Sequence, residues 1–97
     1  MILHVVEASY EHDYVIHLRF NDGAEGYVDL RGELHGEVFA PLKDKDKFKA
    51  FRLDPEIETI VWDNGADFAP EFLRDHLLVP IQDGRTARES EIKDHDL

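Results

Sequence analysis

Hydrophobic and polar residues alternate most clearly over two stretches of the chain. In residues 14–20, Tyr, Ile, Leu and Phe alternate with Val, His and Arg, which is typical of a strand with one buried face. Residues 57–62 also alternate, but bulky apolar side chains occupy both sets of positions. We therefore predict that this second strand is covered on both faces for part of its length.

Weaker patterns predict the remaining elements. Residues 2–6 and 25–30 are predicted strands, with Val28 and Leu30 facing inward, and residues 8–13 are a predicted polar turn. Asn21-Asp22-Gly23 is typical of a hairpin. We expect a short helical segment near residues 41–47 and a strand over residues 48–53.

The rest of the chain is organised around residues 57–78. Asn64-Gly65 ends the strand with a tight turn, because Gly adopts positive φ at little cost. Pro70 suits a first helical turn, so a helix from about Pro70 to Leu77 is predicted, with Asp67 or Ala69 as its N-cap. The expected fold is α+β: a mostly antiparallel sheet of about five strands, a short helical segment and one C-terminal helix packed on one face.

The length of 97 residues predicts a single domain, over residues 1–79. Residues 80–97 contain many charges and little apolar area to offset the entropy of ordering. We expect this segment to be a flexible acidic tail, or alternatively to form a short helix on a partner.

The net charge of −11 changes the expected partners. Residues 1–80 contain 17 acidic and 8 basic side chains, so most of the acidity belongs to the predicted domain. Such a surface repels nucleic acid and anionic membranes and attracts a basic protein. The alternative is that the acidity only keeps a small protein soluble.

The residue types present exclude several kinds of chemistry. The chain has no Cys, which excludes disulfides, thiol catalysis and thiolate metal sites. No signal peptide or membrane-spanning run is recognisable, so we expect a cytoplasmic location. The six His are dispersed, and no Gly-rich phosphate loop or nucleophile elbow occurs. We therefore predict no enzyme, no cofactor and no metal site.

The turn after the second clear strand holds most of the candidate binding residues. Asp63, Asn64 and Asp67 slightly resemble a calcium loop, but the ligand ladder of such a loop is missing and turn formation explains all three. The nearby aromatic residues are either core residues or exposed contacts for a partner. The candidate partner-binding residues are Trp62, Asp63, Asn64, Asp67, Phe68 and Tyr27.

Several segments of the chain resemble a known family. They are TIVWDNGADFAPEFL (residues 59–73), FNDG (20–23), DL (29–30) and VFAPL (38–42), in collinear order over residues 2–78. They are similar to the bacterial domain-of-unknown-function family 2442. Asp63 stands where many members have Pro, and Arg74 stands where an aromatic residue is common.

The resemblance implies a short meander, a small helical segment, two further strands and a closing helix. It implies no activity, because none is established for the family. Some members are encoded beside a small partner in an arrangement similar to toxin–antitoxin pairs, and others have an added helix-turn-helix domain.

Three hypotheses follow. The first is a protein-interaction module, antitoxin-like, that binds a small basic partner. The alternative is a ligand-sensing or transcription-associated regulatory domain without catalytic activity. The third is self-association through an edge strand without further activity.

Overall fold

The larger of two β-sheets is antiparallel, and its first three strands form a meander. A computed structural model describes residues 2–80 and 86–88 of the chain. Its five-stranded sheet follows the order β1 (Val5–His12), β2 (Val15–Phe20), β3 (Glu25–Asp29), β6 (Leu78–Pro80) and β7 (Thr86–Arg88). Strands β4 (Arg52–Asp54) and β5 (Thr59–Val61) form a separate antiparallel pair. The predicted α+β class is confirmed, although the strands divide between two sheets.

Short helices connect the sheets. Two 3₁₀ helices, Arg31–Glu33 and Ala40–Lys43, precede helix α1 (Lys45–Phe48), and helix α2 (Pro70–Asp75) follows β5. Pro70 occupies the first turn of α2, and Leu73 turns into the core. The predicted helical segment near residues 41–47 and the C-terminal helix are both confirmed.

The core lies between the inner face of the large sheet, the small sheet and α2. Ile16, Leu18 and Phe20 of β2 face inward, as the alternation predicts. Val28 and Leu30, which were also predicted to face inward, are buried as well. In β5, the three residues Thr59, Ile60 and Val61 are all buried, which confirms the prediction of a strand covered on both faces.

Two predicted boundaries are wrong. The segment 8–13, predicted as a turn, mostly belongs to β1 instead of following a strand over residues 2–6. Its Ala8 and Tyr10 pack against the core while Glu7 and Ser9 are exposed, so a period of two is present beneath the polar composition. Phe48 ends α1 instead of opening a strand, because the Asp44 carboxylate accepts the Asp46 N–H and starts the helix there.

The start of α2 agrees with one of the two predicted N-caps. Ala69 is the N-cap and no side chain caps the helix, so the alternative N-cap, Asp67, is not used. Asp67 instead forms an isolated antiparallel bridge with Val61.

The predicted division at residue 79 stays a prediction. Among residues 2–78, whose burial is described, the core extends from Val5 to Leu77. Within the segment predicted to be a flexible tail, Thr86–Arg88 pairs with Leu78–Pro80, and residues 81–85 and 89–97 lie outside the described residues.

Candidate functional site

A pocket of about 360 Å³ lies between two segments that are distant in sequence. One wall comes from the second 3₁₀ helix and α1, and the other comes from the turn that follows β5. We call it the Trp62 pocket and define it by its lining residues: Pro41, Leu42, Lys47, Ala50, Trp62, Asp63 and Asn64.

Backbone and side-chain hydrogen bonds fix the turn wall. The Gly65 N–H donates to the Trp62 carbonyl oxygen at 2.9 Å, and Gly65 has φ +87°, a conformation that favours glycine. The Asn64 side chain accepts the Ala66 N–H at 3.1 Å and donates to the Val38 carbonyl oxygen at 2.8 Å. Asn64 therefore uses both ends of its amide to hold this turn in place.

The Trp62 ring connects the two walls. Its Nε1–H donates to the Phe48 carbonyl oxygen at 2.7 Å, and its ring packs against Phe48, Phe51 and Phe68. The residue is 2% exposed, so it presents only a small part of its ring to the pocket. Ala50, in contrast, is exposed on the opposite wall.

The charges at the pocket differ from those of the protein as a whole. The Asp63 carboxylate accepts a hydrogen bond from Arg52 at 2.8 Å, which partly neutralises it. Lys47 forms no ion pair with any described residue, whereas Lys49 lies 3.3 Å from Asp46. The pocket therefore combines mainly apolar walls with one unpaired ammonium group and one paired carboxylate.

The neighbouring Lys45, unlike Lys47, forms an ion pair with another described residue. Its Nζ donates to Asp13 at 2.9 Å, and this bond raises the pKa of Lys45 above 10.5. The same bond, with a further contribution from His12, lowers the pKa of Asp13 below 3.8. Lys45 is thus bound to the turn between β1 and β2.

The structure brings three of the six candidate residues together. Trp62, Asp63 and Asn64 all line the Trp62 pocket. Phe68 is buried and stacks on Phe72, with ring centroids 5.3 Å apart. Asp67 is exposed and lies outside the pocket lining.

Tyr27 lies on the outer face of the large sheet. It is half-buried there and meets His17 edge-to-face, with ring centroids 5.2 Å apart. His17 Nε2 also lies 3.0 Å from a Glu25 carboxylate oxygen. Tyr27 is therefore a separate surface feature, on a different part of the molecule from the pocket.

The sequence analysis missed the opposite wall of the pocket. Lys47 and Ala50 lie in a charged segment that has the composition of an ordinary exposed face, and no local pattern marks them. It also missed a row of exposed carboxylates along α2. Glu71 and Asp75 are four residues apart on this helix, which is the signal that could have identified the row, and Asp67 lies in the segment just before the helix.

A second, more open depression of about 430 Å³ lies at the end of β3, beside the start of β6. Asp29, Arg31, Gly32, His76 and Leu78 line it. The His76 Nδ1 is 2.8 Å from the Phe72 carbonyl oxygen, and the two rings stack with centroids 4.1 Å apart. These contacts with Phe72 fix the orientation of the His76 ring.

No group of three or more His, Asp or Glu side chains that could hold a metal ion occurs within residues 2–80 and 86–88. His4, His12 and His17 each lie beside one carboxylate instead, at 2.9–3.2 Å. Among the described residues, no helix has the length and apolar character needed to cross a membrane.

Residues 5–78 match the family model described as Protein of unknown function (DUF2442). This chain belongs to that family. The matched segment begins with β1 and ends at the first residue of β6, so it includes the whole Trp62 pocket. Neither the curated proteins nor the solved structures contain a match to this chain.

Proposed function

We propose that this protein is an acidic protein-interaction module of the cytoplasm that binds and masks a small basic partner, in the manner of an antitoxin. The observation that supports this proposal most directly is the excess of carboxylates over internal cations. Residues 1–80 contain 17 Asp and Glu, of which seven form ion pairs with described residues. The other ten form none within residues 2–80 and 86–88.

These unpaired carboxylates lie on the surface, where a partner can reach them. The electric field of an exposed carboxylate extends into the solvent when no cation of the same protein pairs with it. This field accelerates encounter with a positively charged protein. Such an attraction weakens as salt is added, because mobile ions screen it beyond about 8–10 Å. A salt-dependent affinity is therefore the property that separates this proposal from the simpler role of acidity in solubility.

The carboxylate row along α2 is the surface we assign to the partner. Asp67, Glu71 and Asp75 are exposed and have no ion pair among the described residues. The nearby Arg74 instead donates to Asp22 at 3.1 Å. A basic helix or strand laid along α2 would place its cations against this row.

The test begins with capture of bound proteins from native cells, followed by binding measurements between the purified proteins. We expect a small basic partner whose affinity falls steeply with added salt. The triple variant Asp67→Asn, Glu71→Gln, Asp75→Asn should weaken binding by about tenfold, which corresponds to ~0.5 kcal/mol for each surface charge.

The matched control removes the same number of charges elsewhere, as Glu33→Gln, Glu37→Gln, Glu56→Gln. This control should weaken binding much less, because it leaves the α2 row intact. A partner that is not basic, or an affinity indifferent to salt, would overturn the proposal.

A second candidate function is supported by the Trp62 pocket. A pocket of about 360 Å³ lies within the size range of small-molecule sites, roughly 300–1,000 Å³. We infer from it a ligand-sensing domain, in which a bound metabolite would change the surface that the turn at Asn64-Gly65 presents. A set of metabolites screened by thermal shift tests this candidate: a reproducible rise in melting temperature supports it, and no rise with any compound counts against it.

A further inference from the structure

We propose that the Trp62 pocket binds a small organic anion, with an apolar ring against the exposed Pro41 and Ala50 and a carboxylate paired with Lys47. This inference rests on the second candidate function and specifies the chemical class of its ligand. It concerns a different surface from the carboxylate row proposed for a protein partner.

The hydrogen bonds at the pocket limit which polar groups a ligand can use. The Trp62 N–H already donates a hydrogen bond to the Phe48 carbonyl oxygen, and both ends of the Asn64 amide have partners. A ligand therefore cannot use the Trp62 donor, and it touches only the small exposed part of that ring. Lys47 also lines the pocket, and its ammonium has no partner among the described residues, so we assign it to pair with a polar substituent.

The apolar residues that line the pocket favour a ligand with an apolar ring. Pro41 and Ala50 are exposed on the walls, whereas Leu42 and Trp62 are each 2% exposed and form only small parts of them, so a flat apolar group would pack mainly against the proline ring and Ala50. A monocyclic or bicyclic ring can bury its surface there without displacing any of the hydrogen bonds that hold the turn.

The charges select an anion over a cation. The pocket's one carboxylate, that of Asp63, is already paired with Arg52, whereas Lys47 forms no ion pair within the described part of the chain. An anionic ligand gains an ion pair with Lys47, and a cationic ligand would be repelled by it. This preference is opposite to that of the surrounding surface, which is strongly acidic, and it gives the pocket its own specificity.

The test uses 2-naphthoate and its uncharged analogue 2-naphthamide. The chain has a single Trp, so its indole N–H gives one cross-peak in a ¹H–¹⁵N spectrum, and that peak reports directly on the pocket. We expect 2-naphthoate to shift this peak in a saturable way and to bind about fivefold more tightly than 2-naphthamide, as one exposed ion pair allows.

Two variants locate the interaction. Lys47→Gln should abolish the preference for the carboxylate, while the control Lys49→Gln should keep it, because Lys49 pairs with Asp46 and does not line the pocket. Ala50→Phe should fill the pocket and prevent binding of both compounds. Ala50 is exposed, so an unchanged circular dichroism spectrum is expected for this variant.

The outcomes distinguish the inference from the function on which it rests. Equal affinity for the two compounds, lost in Ala50→Phe, would overturn the anion preference and leave a ligand-binding pocket. An equal effect of Lys47→Gln and Lys49→Gln would also overturn it. No shift of the indole peak with either compound would overturn both the inference and the assignment of this pocket as a ligand site.

Discussion

The indole nitrogen of Trp62 donates a hydrogen bond of 2.7 Å to the backbone carbonyl oxygen of Phe48. This bond joins the turn after β5 to the end of α1, which are the two walls of the Trp62 pocket. Phe48 and Trp62 are both nearly inaccessible to solvent, so water cannot replace the donor if it is removed. The same side chain thus closes the core and shapes the pocket.

Trp62→Phe tests the contribution of this bond. The variant keeps an aromatic ring but leaves the Phe48 carbonyl oxygen without its donor, and it removes volume from the core. We expect the free energy of unfolding to fall by about 2–3 kcal/mol. Urea denaturation followed by far-ultraviolet circular dichroism measures it, since the variant has no Trp fluorescence.

Tyr10→Phe is the matched control. It also removes a donor to a backbone carbonyl, that of Asp13 at 3.1 Å, but at a partly exposed position where water can take its place. A loss below about 1 kcal/mol is expected. If the two variants were equally destabilised, burial of the Trp62 bond would not be the reason for its effect.

Gly65→Ala tests the turn that forms one pocket wall. Gly65 has φ +87°, and an added Cβ would meet no atom within 4 Å, so the cost is purely conformational. We expect a loss of about 1–2 kcal/mol in the free energy of unfolding. Gly32→Ala is the control: its added Cβ is equally unobstructed and its φ is not in the left-handed region, so it should be neutral or slightly stabilising. The same denaturation assay compares the two.

Gly26→Ala tests the pairing of β3 with β6. An added Cβ at Gly26 would clash with the Leu78 carbonyl oxygen, which is backbone and cannot rotate away. The strands must separate or shift, at a cost of about 1–3 kcal/mol. Amide hydrogen exchange should then be faster around the Tyr27–Leu78 pair, the one register pair between these strands. Unchanged protection at these amides would contradict the close approach of the two strands.

Asp22→Asn tests an ion pair that depends on pH. The Ala24 backbone N–H and then Arg74 lower the pKa of Asp22 below 3.8. A carboxyl group with a lowered pKa in the folded state stabilises the fold above its ordinary pKa, and this stabilisation is lost as the pH falls through the folded-state value. The Asn side chain keeps an acceptor for the Ala24 N–H, so the variant removes mainly the charge.

At pH 7 we expect Asp22→Asn to lower the free energy of unfolding by about 0.5–1 kcal/mol, a small value because the side chain is about one-third exposed. The difference from the unmodified protein should shrink as the pH falls below about 4. Asp67→Asn, at a residue with no ion pair among those described, is the control and should show no such convergence. Thermal unfolding between pH 3 and pH 7 measures both.

Local features were predicted well and long-range arrangement was not. The alternation in β2 and the Asn64-Gly65 turn were both correct, because each depends on residues next to one another in the chain. The strand predicted over residues 48–53 begins later, at Arg52, because Phe48 belongs to a helix that starts at Asp44, and apolar periodicity over six residues did not distinguish helix from strand there. Likewise, the polar side chains of β1 concealed its strand character.

The residues of the candidate site were likewise predictable only in part. Trp62, Asp63 and Asn64 were identified as neighbours in one turn, and they do share a wall of the pocket. Lys47 and Ala50 could not be paired with them from the sequence, because nothing local links two segments about 15 residues apart. The sequence by itself determined the strand periodicity, the turn and the negative charge, since these depend on residue type and immediate neighbours. Only the tertiary structure decided that α1 lies against the turn, with Lys47 beside it, because packing of the Phe48 and Trp62 rings brings those segments together.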